Sequence, residues 1–389
     1  MLSFIVFSML LNSMSVIILQ LSQNQQHSYT GLGMLEFFKD IPIALVSIFM
    51  VDYIKKRSYY SSLSIALIIC TLCSFTIPFV SEFWFLKIWF ILIGISFSIG
   101  KICVFSIIKN ISDNEKDFSK TMSRTEAAFM LGVFIVNIEF AIILNSDYKD
   151  YWKFGFWLVG IISSWAAFQF YRIDKQNVFE IDKSQSKEVI DFRILFDYKS
   201  ILFFTIVVII VFTEQIFNSW LPTFYKHTLK ADSFFALQSS AFLALFSFIG
   251  RLLASKAVVK FSPMKIFFFC LISGIILTSS AYIIGQDTDV KVKILMFLFP
   301  MVGIFTAPLY PMLNSKYLSK FSERRVGKIV SIIILFTSLG GSIGSMSTAY
   351  IFQKNLGNYY LLFATIPLIL ILIFSTFFSI KEKISEYIK

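Results

Sequence analysis

The chain has 389 residues, of which 57% are hydrophobic and 15% are charged, and its formal net charge is +11. This composition leaves too little polar surface for a soluble protein of this length. The basic residues are scattered over short loops and form no contiguous patch, so a nucleic-acid partner is not expected. The two histidines, His27 and His227, fall just outside apolar stretches, so no metal site is predicted, and no cofactor either.

Apolar stretches of membrane-spanning length follow one another along the whole chain, each long enough for a helix to cross ~30 Å of hydrocarbon. We predict twelve helices at residues 2–22, 32–54, 60–80, 84–108, 122–144, 153–172, 200–221, 234–256, 265–285, 292–313, 327–351 and 359–380. Pro300, Pro308 and Pro311 interrupt the tenth. A charged segment, 173–199, separates six-helix halves at 1–172 and 200–389. The predicted fold is an all-α integral membrane protein of two pseudo-symmetric six-helix bundles.

Basic residues set the predicted orientation. With the N-terminus inside, the inner loops and the C-terminal tail hold 25 lysines and arginines, whereas the outer loops hold seven. Cytoplasmic loops of membrane proteins are enriched in these residues. Both termini are therefore expected in the cytoplasm, with most of the net positive charge next to membrane lipid headgroups.

Ionisable side chains in the second and fourth spans are candidate functional residues, because a charge within hydrocarbon is costly unless it faces protein or water. Lys39 and Asp40 lie about fifteen residues from the inner end of the second span, and Glu36 shares their helical face. We expect them to line a cavity, with a wet outer vestibule as the alternative. Lys101 in the fourth span is expected to contact the substrate or a coupling ion, and Gly94 and Phe97, which precede it at helical spacing, to give a face with room for a solute. Snorkelling of the lysine to the inner headgroups is the alternative.

Two carboxylates lie in the fifth and seventh spans. Glu126 lies two turns into the fifth span at a depth similar to Lys101, and we expect it either to pair with that lysine or to bind a coupling ion. Glu214 lies mid-span in the seventh, beside Gln215 and one turn before Asn218. A carboxylate in a polar strip near the midplane suits proton coupling, because its protonation can change with access. A buried glutamate that only joins helices is the alternative.

The ends of the second and eighth spans carry a family resemblance. The eighth ends with GRLLAS at 250–255, followed by KFSPMK at 260–265, and the second ends with DYIKKR at 52–57. Both resemble the loop signature of the major facilitator superfamily, and the segment at 52–57 resembles it in degraded form. The resemblance implies two bundles that rock around a midplane site, with gating residues at Asp52, Arg57, Gly250 and Arg251. Topology anchoring is the alternative for the basic loop residues, and Arg251 is expected to gate or anchor rather than to contact substrate.

A closer resemblance is to a group of bacterial permeases without a well-defined substrate. These proteins similarly carry Lys-Asp-apolar-Pro in helix 2, at 39–42 here, and a lysine in helix 4, here Lys101. They also carry a glutamate in helix 5, here Glu126, and Glu-Gln…Trp-Leu-Pro in helix 7, at 214–222 here. The drug-efflux pattern is weaker, because the fifth span lacks a Gly-Pro motif. Phe90 also lies four residues before Gly94, where proton-linked exporters often carry an arginine.

We therefore expect a secondary active transporter in the bacterial inner membrane, working by alternating access with proton-coupled uptake. Its solute is expected to be small and polar or anionic (an amino acid, an organic acid or a carboxylate siderophore), because two buried lysines favour carboxylates. A drug or metabolite efflux permease of the same fold is the alternative. An enzyme is not expected, because no nucleophile–base constellation lies at a common depth. A sensor would need a cytoplasmic output segment, and a channel a repeated filter loop. We expect a monomer.

Overall fold

The computed structural model describes residues 1–23, 28–50, 53–54, 57–80, 82–112, 115–176, 197–285, 298–319, 321 and 323–387. This part of the chain forms fifteen α-helices and no strands. They are α1 (Leu2–Asn12), α2 (Met14–Gln23), α3 (Tyr29–Gly33), α4 (Leu35–Phe49), α5 (Tyr59–Thr76), α6 (Phe83–Ile111), α7 (Glu115–Leu144), α8 (Phe156–Gln176), α9 (Tyr198–Thr223), α10 (Ser233–Ala257), α11 (Pro263–Gly285), α12 (Val302–Thr306), α13 (Leu309–Ser319), α14 (Glu323–Gln353) and α15 (Tyr360–Tyr387). We call α1–α8 the N-terminal set and α9–α15 the C-terminal set.

Ten helical segments of the described chain are long and apolar enough to cross a membrane. They correspond to every predicted span except the second and the tenth. The second is divided at Met34 into α3 and α4, and α4 carries the charged residues Glu36, Lys39 and Asp40. The tenth is divided between α12 and α13 at Pro308, so the predicted interruption is confirmed there, whereas Pro311 lies in the first turn of α13. Residues 286–297 of this region lie outside the described chain, and the count of twelve stays a prediction.

Two glycines allow the close helix approaches that position the site. In an α-helix each backbone carbonyl accepts a hydrogen bond from the N–H of the residue four positions later. The carbonyl of Ile304 has no such donor, because that residue is Pro308, which has no N–H. Gly250 of α10 packs against that carbonyl, where a Cβ atom would collide with it. Gly94 of α6 packs in the same way against the backbone carbonyl of Lys39 in α4. The space expected for a solute beside Gly94 is therefore filled by α4, and that prediction is wrong.

The two sets meet along four main pairs of helices. In these pairs α3 and α4 both pack against α14, α7 packs against α10, and α2 packs against α9. Within the N-terminal set, α6 packs against α4 and α5, and α5 packs against α8. Within the C-terminal set, α9 packs against α14 and α15, and α11 packs against α15. The buried core runs through both sets and consists mostly of phenylalanine, leucine and isoleucine, as expected where helices associate by close packing of apolar side chains.

Candidate functional site

A cavity of about 140 Å³ lies between the two sets, where α1, α4, α6, α7, α9, α10, α13 and α14 meet. Its charged and amide side chains are Asn12, Lys39, Asp40, Lys101, Glu126, Glu214, Gln215, Asn218 and Arg251. This group includes all seven residues that the sequence predicts for substrate or coupling-ion binding. The structure therefore brings together side chains from four helices that are distant in the sequence.

Arg251 lies at the centre of the first group of charges, which we call the Arg251 cluster (Glu126, Glu214 and Arg251). The Nη1 atom donates to the Glu126 carboxylate at 3.3 Å and to its backbone carbonyl at 3.0 Å. The Nη2 atom donates to the Glu214 carboxylate at 3.5 Å. The Nε atom donates to the carbonyl of Ala307 at 3.1 Å, which is accessible because Pro311, four residues on, has no N–H to occupy it. The cluster joins α7 of one set to α9 and α10 of the other.

The second group, the Lys39 cluster (Glu36, Lys39 and Asp40), lies on α4. Lys39 forms ion pairs with Glu36 and, at 3.8 Å, with Asp40. Glu36 accepts hydrogen bonds from Gln215 at 2.6 Å and from Ser219 at 2.8 Å, both on α9. Its side chain is fully buried, so these residues do not lie in a wet vestibule in this structure.

Asp40 of the Lys39 cluster also contacts the C-terminal set. Its carboxylate accepts a hydrogen bond at 2.9 Å from Ser342 on α14. Gly341 lies beside the same carboxylate oxygen, where an added Cβ atom would be 3.0 Å away. Each charge cluster thus combines one cation with two carboxylates and reaches across the boundary between the sets.

Lys101 has different surroundings. Its Nζ atom donates to the hydroxyl of Tyr310 on α13 at 3.4 Å and lies 5.3 to 5.7 Å from the ring centroids of Tyr310, Phe97 and Phe105. The residue is only 8% exposed, so it does not snorkel to the headgroups in this structure. Within the described chain no carboxylate forms an ion pair with it. The expected pairing of Lys101 with Glu126 is wrong, because Arg251 occupies that carboxylate.

The predicted gating residues fall in different places. Asp52 lies outside the described residues. Arg57 is exposed and donates to the hydroxyl of Tyr53 at 3.2 Å. Gly250 contacts α12, and Arg251 is 2% exposed and lines the cavity itself, rather than lying at the inner surface. The gating roles stay predictions.

Tyr310 and the cavity position of Arg251 were not predicted from the sequence. An uncharged tyrosine in an apolar helix gives no signal by composition, although its place between Pro308 and Pro311 marks an irregular backbone. The sequence pattern around Arg251 indicates a loop signature near the inner surface. In the described chain, no group of three or more histidine, cysteine, aspartate or glutamate side chains is arranged to hold a metal ion.

The two sets also touch on both sides of the cavity. Towards the predicted outer side, the ring of Tyr29 packs against those of Trp220 and Phe352, with centroids 6.4 and 6.1 Å away. Towards the predicted inner side, Ser47 donates to the backbone carbonyl of Ser331 at 3.2 Å. Both contacts are therefore formed at the same time in this structure.

The sequence profile of the Major Facilitator Superfamily matches residues 1–345. The chain belongs to this superfamily. The resemblance found in the loops after the second and eighth spans is therefore confirmed, and members of the superfamily are in general transporters rather than enzymes. No curated protein sequence matches the chain.

Solved structures of superfamily transporters are similar over nearly the whole chain. The fucose:proton symporter of E. coli is 15% identical, with a TM-score of 0.68 and 97% of each chain covered. A D-xylose-proton symporter is 17% identical, with a TM-score of 0.73, and 96% of this chain and 95% of that chain are covered. A bacterial homologue of the iron transporter ferroportin in an outward-facing state is 10% identical, with a TM-score of 0.69 and coverages of 97% and 98%. At these identities the likeness establishes the fold.

Proposed function

We propose that this superfamily member is a secondary active transporter that takes up a small polar or anionic solute together with protons. The observation that carries the proposal is the convergence of all seven predicted residues on one cavity between the two helix sets. Transporters of this kind bind their solute between two bundles and expose it to one side at a time. The contacts on both sides of the cavity are the places where such alternating access would open.

The full chain has twelve membrane helices, arranged as pseudo-symmetric bundles over residues 1–172 and 200–389 and joined by a cytoplasmic segment at 173–199. Both termini lie in the cytoplasm, the membrane is the inner membrane of a bacterium, and the protein is a monomer. The excess of lysine and arginine in the inner loops supports this orientation. The divided helices α3–α4 and α12–α13 support the count, because broken helices that line a cavity are tolerated within a membrane.

The stoichiometry of the charge clusters supports proton coupling. Each cluster holds two carboxylates and one cation, so a single proton on either carboxylate neutralises it. In the Arg251 cluster, protonation of Glu126 would weaken the ion pair that joins α7 to α10, and so loosen the contact between the sets. Proton binding and the relative movement of the two sets are coupled in this way. Two of the structurally similar proteins are proton symporters, which agrees with this mechanism.

Transport in liposomes with a pH-sensitive dye inside tests the proposal. Amino acids, organic acids and carboxylate siderophores are added outside, and we expect at least one of them to drive proton entry with the wild-type protein. Glu126→Gln and Glu214→Gln should lose this proton entry but keep solute exchange without a pH gradient, because an amide cannot carry the proton. Glu139→Gln is the matched control, since Glu139 lies on α7 but does not line the cavity.

Two results would contradict the proposal. Proton entry that persists in both cavity variants would show that these carboxylates do not carry the coupling proton. Solute-dependent proton movement that is opposite in direction to solute movement would indicate an exporter of the same fold, and would overturn uptake.

A further inference from the structure

Lys101 and Tyr310 together present hydrogen-bond donors that have no acceptor in the described chain. A lysine ammonium has three N–H donors and no acceptor, and only one of these donors is used, by the Tyr310 hydroxyl. Because that hydroxyl oxygen accepts from Lys101, its own proton remains available to donate. Neither group makes another hydrogen bond with the described residues, and both line the cavity. Their chemistry calls for an acceptor that comes from outside the chain.

The charge of that acceptor follows from the ion pairs. Lys39 and Arg251 each face two carboxylates, whereas Lys101 forms no ion pair with any described residue. The rings of Phe97, Phe105 and Tyr310 provide cation–π contacts, but they supply no lone pair to the unused N–H groups. Glu126 and Glu214 attract Lys101 electrostatically without contacting it, so its unused N–H groups still lack acceptors. An anion with oxygen acceptors would supply them.

The volume of the cavity limits the size of such an anion, and the wall beside Lys101 limits the polarity of the part that packs there. The volume of about 140 Å³ is close to that of the engineered protein cavity of ~150 Å³ that binds benzene, a molecule of about six non-hydrogen atoms. The wall next to Lys101 is formed by Phe4, Phe97 and Phe129, whose ring centroids lie 6.0 to 6.5 Å apart. This wall suits a short apolar body and not a second charged group.

We propose that the solute is a compact organic monoanion whose single carboxylate is bound by Lys101 and Tyr310, with its apolar body against Phe4, Phe97 and Phe129. The inference rests on the proposed function and narrows it. It selects small monocarboxylates over the polycarboxylate siderophores that the sequence left open, because those are too large for this cavity and carry several charges.

The test is binding to the purified protein in detergent, measured by thermal shift and by calorimetry. The probes are butyrate and lactate, their neutral amides butyramide and lactamide, the polycarboxylate citrate, and the neutral sugar xylose. We expect butyrate or lactate to raise the melting temperature by mass action, and the amides, citrate and xylose to have no effect. Lys101→Gln should weaken carboxylate binding at least about 30-fold, the effect of removing one partner of a buried charge pair. Tyr310→Phe should weaken it about tenfold, because one hydrogen bond to a charged group is lost.

Lys87→Gln is the matched control. Lys87 lies on the same helix as Lys101, and its ammonium also lies over two rings, those of Phe38 and Phe83, but it does not line the cavity. Its variant should bind as the wild type does. Tyr310→Phe keeps the ring and removes only the hydroxyl, so it tests the site even if Lys101→Gln fails to fold.

The inference would be overturned if neither monocarboxylate bound the wild-type protein. It would also be overturned if the Tyr310→Phe variant and the Lys101→Gln variant each bound a monocarboxylate as tightly as the wild type does. The two proposals can fail separately. If a neutral solute drives proton entry that does not depend on Lys101, the monoanion assignment is wrong and proton-coupled uptake stands. If a monocarboxylate binds through Lys101 but drives no proton entry, the anion site stands and the coupling is wrong.

Discussion

Replacing Arg251 with glutamine removes the only cation of the Arg251 cluster. The guanidinium is 2% exposed and donates to the Glu126 side chain and backbone, to Glu214 and to the carbonyl of Ala307. Glutamine leaves two carboxylates without a counter-ion, and breaking a buried ion pair from one side costs about 3–5 kcal/mol. We therefore expect Arg251→Gln to lower the free energy of unfolding by about 3–5 kcal/mol.

The structure also predicts how much of this loss of unfolding free energy comes from the contact of Arg251 with each carboxylate. The contact with Glu126 is the shorter, at 3.3 Å, and the Glu126 side chain is 8% exposed, whereas the Glu214 contact is 3.5 Å long and its side chain is 18% exposed. Water screens the second pair more. A double-mutant cycle should therefore give a larger coupling energy for Arg251 with Glu126, about 1–3 kcal/mol, than for Arg251 with Glu214.

The assay is reversible unfolding in mixed detergent micelles, followed by tryptophan fluorescence, for Arg251→Gln, Glu126→Gln, Glu214→Gln and the two double variants. Arg57→Gln is the control, because Arg57 is exposed and its variant should unfold as the wild type does. Effects of Arg251→Gln and Glu126→Gln that add within about 0.5 kcal/mol would refute the reasoning, because they would show that the two side chains do not interact.

Two further predictions concern the close approach of α10 to α12 and the outer contact between the sets. Gly250→Ala should lower the free energy of unfolding by about 1–3 kcal/mol, because its Cβ atom would collide with the backbone carbonyl of Ile304. Gly274→Ala is the control, since its Cβ atom would meet only atoms 3.7 Å away. Equal melting temperatures for the two variants would contradict this packing. Thr30 donates to Gln353 at 3.4 Å between the sets, so joining Thr30→Cys to Gln353→Cys with a short reducible cross-linker should stop transport until reduction. The single-cysteine variants are the controls, and transport through the cross-linked protein would mean that the sets do not separate there.

The positions of the charged site residues could be predicted from the sequence because of the solvent. An ionisable side chain in a membrane helix must face protein or water, so Lys39, Asp40, Lys101, Glu126 and Glu214 are conspicuous by location alone. The structure places all of them on one cavity. The ten helices that are long and apolar enough to cross a membrane were predictable for a similar reason, since a run of apolar residues of sufficient length is a local property of the chain.

The partners of these residues could not be predicted in the same way. Helical periodicity indicates which residues share a face, but it does not indicate which helix lies opposite. Glu126 and Lys101 are at similar depths, yet they do not pair with each other. Arg251 donates to the Glu126 carboxylate and Lys101 donates to the Tyr310 hydroxyl, because α10 and α13 approach them from the other set. Gly94 was expected to leave space, but the backbone of α4 fills it.

The sequence by itself determined that the chain is an all-helical membrane protein and which charged residues are candidates for its site, because hydrophobic length and intramembrane charge are properties of single segments. Only the tertiary structure decided that Lys39 and Arg251 each form ion pairs with two carboxylates, whereas Lys101 forms no ion pair with a residue of the described chain. That difference depends on distances of 3–4 Å between helices far apart in sequence, which arise only when all the helices pack together.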